Sequence, residues 1–239
     1  MEDPTFRTPT GIIVPAVSAQ QMRAVDRVAV EDVGLELLQM MENAGRTVAG
    51  HVRSVADGPV SIVAGNGGNG GGGLVCARHL VNADVEVELV LDREPEELSG
   101  AAAHQYRILD EMDVSTSVGF TEGGITVDAT VIVDALIGYG LDGPVRESGR
   151  RLIEAVNGLD VRVVSLDVPS GIDATTGAVM GAAIAPDRTV TLALPKTGLV
   201  DRSEPLSLAD ISIPATVYER VGIEYATPFG GKAMIELRQ

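Results

Sequence analysis

The chain of 239 residues has no tryptophan, one cysteine, two lysines (Lys196 and Lys232), three histidines and 3% aromatic residues. A single cysteine, Cys76, excludes an intramolecular disulfide framework and any cysteine-based zinc cluster. No uninterrupted apolar run approaches the roughly 18–20 residues of a membrane-spanning helix. The polar opening MEDPTFRTPT contains no secretory h-region, so the expected location is cytoplasmic. Basic residues are scarce as well: 18 stand against 34 acidic ones, a formal charge of −16. Nucleic acid is a poor partner for such a chain, because phosphate binding calls for a basic patch. An acidic, lysine-poor surface is what dense salt favours, since salt screens the self-repulsion of like charges. The composition reads as that of a halophile.

What is present points to a packed α/β protein. A hydrophobic content of 45% suffices for a large core, and the length suits one domain over 1–239, with an N-terminal extension (1–17) and a C-terminal tail (215–239). Ser18 is placed to cap a helix through AQQMRAVDRVAVEDV, stopped by Gly34. A second helical pattern puts Leu37, Met40, Met41, Ala44 and Val48 on one face. Strands and helices then alternate. PVSIVAG, VEVELVL, ATVIVDAL, VRVVSLDV, RTVTLALP and ADISIP read as strands. Helices are expected from about Leu74 to Val81, over PEELSGAAAHQYRILDEM and over ESGRRLIEAVN. Val/Ile/Leu-rich strands between amphipathic helices predict a three-layer Rossmann-like sandwich, a mostly parallel sheet with helices on both faces.

Ligands of such sheets bind beyond the carboxyl ends of the strands. Four loops there are rich in glycine and small polar groups: Gly65 to Gly73, Asp134 to Arg146, Asp167 to Asp173, and Pro195 to Gly198. Gly65, Gly67 and Gly70 spell G-x-G-x-x-G between a strand and a helix, and Asp92 ends the next strand where a ribose-binding acid is expected. A Walker A loop is absent, since no Lys-Ser or Lys-Thr follows. The fingerprint alone leaves an NAD-dependent dehydrogenase open, although no Tyr-x-x-x-Lys pair accompanies it.

Five blocks in order resemble the YjeF N-terminal domain family, best known for NAD(P)H-hydrate epimerases. They are QMRAVDRVAVEDVGLELLQMMENAG, the glycine loop with LVCARHL, VDALIGYGLDGPVRE, SLDVPSGIDATTG and LPKTGL. The resemblance implies an isomerase that repairs hydrated NADH or NADPH by interconverting the epimers at C6 of the damaged ring. It also implies a potassium ion held by Asn69, Asp134 and Ser170; a carboxylate, an amide and a hydroxyl suit a hard cation. By the same resemblance the substrate is met by Gly68, Asn69, Gly70, Gly71, Gly72, Gly138, Tyr139, Gly140, Leu141, Arg146, Asp167 and Lys196, and the chain is a homodimer. The glycine loop departs from the family pattern at Asn66, Gly68 and Gly72, where the family has Pro, Asn and Asp. The last change removes a carboxylate and leaves room for a binding-only protein of the same fold.

Inverting a hydroxyl-bearing carbon beside a ring nitrogen requires proton transfer by a positioned group. Asp167 is the expected acid–base group, because it ends an apolar strand and is partly desolvated there. Lys196 is a candidate for neutralising substrate phosphate. His51, His79 and His104 fall on helices away from the strand ends and are expected to pack or face solvent. Cys76 and the cluster Met22, Met40 and Met41 are expected to fill the core.

Overall fold

The computed structural model describes residues 4–119 and 128–239. Its centre is an eight-stranded sheet. The strands are β3 (Val60–Ala64), β4 (Val87–Leu91), β5 (Ser115–Val118), β6 (Val131–Ala135), β7 (Arg162–Leu166), β8 (Arg188–Leu192), β9 (Leu206–Ala209) and β10 (Met234–Leu237), in the order β10-β9-β8-β7-β6-β3-β4-β5. Every pairing is parallel except that of β10 with β9. A separate antiparallel hairpin, β1 (Thr5–Arg7) with β2 (Ile13–Pro15), precedes α1 (Ala19–Arg27). The other helices are α2 (Leu37–Val55), α3 (Gly68–Val81), α4 (Gly100–Asp110), α5 (Glu147–Asn157) and α6 (Ala215–Arg220).

The central strands are apolar along their whole length because both faces are covered. Period-2 alternation divides them between two cores. Val60, Ile62, Ala64, Val131, Val133 and Ala135 pack with Leu74, Leu80 and Val48 of α3 and α2. Val63, Ile132 and Val163 pack with Leu152, Ile153 and Val156 of α5 on the opposite side. Asp134 and Ser165 fall on this second face and lie opposite each other in the register of β6 and β7. A third core gathers α1, the hairpin and α6 around Met22, Val25, Phe6 and Tyr218.

The helix after β3 begins at Gly68, six residues earlier than the sequence led us to expect. Glycine is a poor helix former, so tertiary contact overrides propensity. A Cβ on Gly70 would lie 1.7 Å from the Gly65 carbonyl oxygen, and one on Gly73 would lie 2.3 Å from the Ala135 Cβ. The helix can press onto β3 and β6 only because these positions lack side chains.

Other differences have local causes. ADISIP is not a strand: β9 is Leu206–Ala209, and Asp210 ends it by accepting the Ser212 amide at 2.7 Å in an Asx turn. The expected helix over residues 95–112 is a short 3₁₀ turn, Pro95–Glu97, followed by α4. The helix from Ala19 passes into a π-helical stretch over Val28–Val33 before Gly34 ends it with φ +79°. The patternless tail supplies β10. Residues assigned to an N-terminal extension are built into the fold, with Val17 bridging to Lys196 and Arg7 to Arg238.

Candidate active site

Strand order reverses around β3, whose neighbours β6 and β4 lead the chain to opposite sides of the sheet. Crevices for ligands form at the carboxyl ends of strands at such a switch point. The loops after β3 and β6 run so close that a Cβ on Gly65 would meet the Leu136 carbonyl oxygen at 2.2 Å. Above them opens a cleft of about 910 Å³. Its walls come from α1 and the start of α2 on one side and from the loops after β3 and β6 on the other.

Two buried aspartates end adjacent strands here. Asp134 is 1% exposed. Its carboxylate accepts the Ser165 hydroxyl at 2.7 Å, the Ser170 amide at 2.9 Å, the Leu136 amide at 3.3 Å and the Ser170 hydroxyl. All of these donors are neutral. Burial pushes the Asp134 carboxyl above the ordinary range, against the lowering effect of those four hydrogen bonds. The Ser170 hydroxyl accepts the Ile137 amide at 2.8 Å and has a second acceptor of its own, the Ile137 carbonyl, at 3.1 Å.

Asp167 is arranged differently. It has φ +70°, and the amide of Val168 bonds back to the Leu166 carbonyl at 3.0 Å. Positive φ with a hydrogen bond spanning two residues marks the rare, strained form of the γ-turn. The next strand repeats the device: Ala193 has φ +62°, and Leu194 N–H bonds the Leu192 carbonyl at 2.7 Å. The turn aims one Asp167 oxygen at the buried ammonium of Lys196, with the Leu192 amide at 3.3 Å. The other oxygen accepts the Tyr139 amide at 3.1 Å. Lys196 is 1% exposed and also donates to the Leu192 carbonyl at 2.8 Å. This lysine is therefore neither solvated nor free to meet a phosphate; it is the counter-ion of Asp167.

Asn69, on the first turn of α3, has its side-chain nitrogen and oxygen both buried without a hydrogen-bond partner. A Cβ on Gly138 would stand 3.0 Å from the Asn69 amide and 3.1 Å from an Asp167 oxygen, so both groups converge on that glycine. Buried amides are ordinarily satisfied, and this one has no partner at the wall of the cleft.

Of the residues expected to meet a substrate, Gly68, Asn69, Gly72, Gly138, Tyr139, Gly140, Leu141, Arg146, Asp167 and Lys196 line the cleft. Gly70 and Gly71 lie off its wall, turned against the Gly65 carbonyl and the Met41 sulfur because the close approach of α3 demands it. Asp134 and Ser170 are buried behind the lining residues. Asp92 lines the cleft but is held by the Arg93 guanidinium in two hydrogen bonds of 2.8 Å. Met22, Met40 and Met41 are buried as expected, and they also form part of the cleft wall. Cys76 is fully buried in α3, and burial pushes its thiol up.

Arg23, Asp26 and Arg27 on the cleft wall escaped the sequence reading, and one of them reaches across the cleft. Asp26 of α1 accepts the phenolic hydroxyl of Tyr139 across the cleft. Its signal is its position, one turn beyond Met22 and so on the buried stripe of an amphipathic helix.

A doubly wound sheet with a deep cleft at its switch point, floored by buried acid, amide and ammonium groups, defines an α/β protein that takes a small polar ligand. The family model of the YjeF-related protein N-terminus matches residues 37–198, and the chain belongs to that family. It is 39% identical to a NAD(P)H-hydrate epimerase of Dehalogenimonas lykanthroporepellens, over 97% of this chain and 96% of that one. It is 40% identical to a bifunctional NAD(P)H-hydrate repair enzyme of Salinibacter ruber, over 86% of this chain but 42% of that longer protein. Among solved structures, yeast ynu0 superposes with a TM-score of 0.81, at 24% identity, over 93% of this chain and all of that one. This last likeness is one of fold.

Proposed function

We propose that the chain is a NAD(P)H-hydrate epimerase, interconverting the two epimers of hydrated NADH or NADPH at C6 of the damaged ring. The observation that carries the reading is Asp167, a buried carboxylate that lines the cleft, held by an ammonium and a main-chain amide in a strained turn. The name of the full-length Dehalogenimonas relative supports it. No helix among the described residues is long and apolar enough to cross a membrane.

The chemistry follows from the ring. Protonating the C6 hydroxyl lets it leave as water, with the adjacent nitrogen supplying electrons to a planar carbon. Water then adds to either face and returns a proton, so nothing is consumed. Asp167 is the group that gives and takes that proton. Lys196 and the Tyr139 amide fix the carboxylate in place by hydrogen bonds to its two oxygens. Arg23, Arg27 and Arg146 line the same cleft of an otherwise acidic molecule, which suits the phosphates of a dinucleotide.

The donor set also suits the potassium ion expected from the sequence. Asn69 has an unpartnered oxygen, and Asp134 is a buried carboxylate bonded only by neutral groups. The Ser170 hydroxyl has Ile137 as an alternative acceptor, so it can turn away and open an Asp134 oxygen. Asn69, Asp134 and Ser170 would hold the ion, which would supply positive charge beneath the cleft. A cytoplasmic homodimer in a salt-rich cell remains our reading of composition and resemblance.

The test is conversion of one purified epimer of hydrated NADH in potassium-rich, high-salt buffer, with the epimers separated by chromatography. Wild type accelerates the interconversion, and Asp167→Asn slows it by about 10²–10⁴-fold, the usual contribution of a general acid–base group. Interconversion no faster than in buffer alone would overturn the reading.

A further inference from the structure

Asp167 has two partners that lead back to a single helix. Its Lys196 partner lies in a segment paired with the residue that enters α1: Val17 N–H bonds the Pro195 carbonyl at 2.9 Å, and Thr197 N–H bonds the Val17 carbonyl at 2.9 Å. The first residue of α1 is pinned as well, with Ala19 N–H on the Thr175 hydroxyl at 3.0 Å. Its Tyr139 partner reaches the far end of the same helix through the phenol, which donates to Asp26. Val17, Lys196, Asp167, Tyr139 and Asp26 thus close a ring through α1. The Tyr139 ring lies inside it, 5.7 Å from the Lys196 ammonium and 6.0 Å from the Arg23 guanidinium, both within cation–π range.

The loop needs such a tie. Gly138 and Gly140 flank Tyr139, and glycine leaves the backbone many alternatives. Nothing stands within 4 Å of a Cβ placed on Gly140, so packing does not hold that side. We propose that Asp26 and Tyr139 are positioning residues for the reaction: their hydrogen bond ties α1 to the loop after β6 and so keeps the Tyr139 amide on the Asp167 carboxylate. The inference rests on the epimerase reading for its kinetic consequence and on geometry alone for its structural one.

Two measurements test it. In epimerisation kinetics, Tyr139→Phe lowers kcat about tenfold and leaves KM within about twofold, because the donor that is loosened acts on the reacting group and not on the bound nucleotide. Asp26→Ala does the same, and the double variant is no worse than either single one, as expected of two halves of one contact. Asp26→Asn keeps an oxygen for the phenol and recovers most of the loss, which a general defect of folding would not do. Wild-type kcat in Tyr139→Phe, additive losses, or Asp26→Asn as slow as Asp26→Ala would each overturn the proposal. In hydrogen–deuterium exchange without substrate, peptides covering 138–141 exchange about tenfold faster in Tyr139→Phe while those of β6 and β7 do not change. Unchanged exchange at 138–141 overturns the proposal. Should the wild type show no epimerisation, the functional reading fails while the exchange experiment still decides the tie.

Discussion

Asp134 and Asp167 are the same residue type, at the carboxyl ends of neighbouring strands, both shut off from water, and they are held in opposite ways. Asp134 is surrounded by two serine hydroxyls and two amides, none of them charged. Asp167 faces an ammonium as buried as itself. A carboxylate bonded only by dipoles keeps its charge at a cost and is receptive to a cation from outside. One already paired with lysine has its charge balanced, and its second oxygen is steered by the loop over the cleft. Burial and a place at the functional rim are shared here, so the difference in role comes from the partners.

The sharpest way to break this contrast is to remove the lysine. Lys196→Met strands the Asp167 charge and should cost about 3–5 kcal/mol in urea unfolding, the usual effect of breaking a buried ion pair. Adding Asp167→Asn to it should restore part of that stability and none of the epimerase activity. If the double variant were no more stable than Lys196→Met, the pair would not be a charge pair in the folded state. Asp134→Asn should cost less, about 1–3 kcal/mol, because it leaves dipoles mispaired and no charge stranded. It should also abolish any rise in melting temperature given by potassium over sodium chloride at equal ionic strength. Ser170→Ala follows at about 1 kcal/mol, since it removes one hydroxyl and leaves Asp134 its other three donors.

The smallest effect is one of pH. The folded-state pKa of Asp134 is raised, so between the unfolded carboxylate value and the folded one the native state binds the extra proton. Stability from this group therefore falls as pH rises through that window, and Asp134→Asn should flatten the slope relative to wild type in potassium-free buffer. Asp134 would not be a penalised carboxylate if the two slopes were parallel.

The sequence made the middle of the molecule legible and its margins opaque. β3, β4, β6, β7 and β8 announce themselves as apolar, β-branched runs because both faces are buried, and the acid or glycine at the end of β3, β4, β6 and β7 marks the functional rim. The edge strands β5 and β10 are short and half exposed, and β9 beside β10 is only four residues long, so none of them carries a clear periodicity. The glycine run looked like a loop because propensity was the only guide; its helical state is set by the closeness of Gly65 and Ala135, which no local pattern encodes. At the site, the strand-end rule gathered the loops that carry Asn69, Asp134, Asp167 and Ser170 at one rim, and the family resemblance singled those residues out. Spacing could not reveal that Lys196 is consumed by Asp167, or that Asp26 reaches Tyr139 from a helix more than a hundred residues away. Those facts belong to tertiary pairing.

The twin γ-turns at Asp167 and Ala193 have a consequence for protein engineering. A left-handed backbone at a non-glycine residue forfeits roughly 1 kcal/mol, but the Ala193 methyl is buried in the core around α1, so Ala193→Gly relaxes the turn at the cost of a buried methyl worth about 0.8 kcal/mol and is close to neutral for heat tolerance. The same exchange at position 167 would relax the backbone and abandon the lysine beneath it, a net loss. A library sorted only for thermal endurance should therefore accept glycine at one turn and reject it at the other, and in doing so would retain the acid without ever being asked about catalysis.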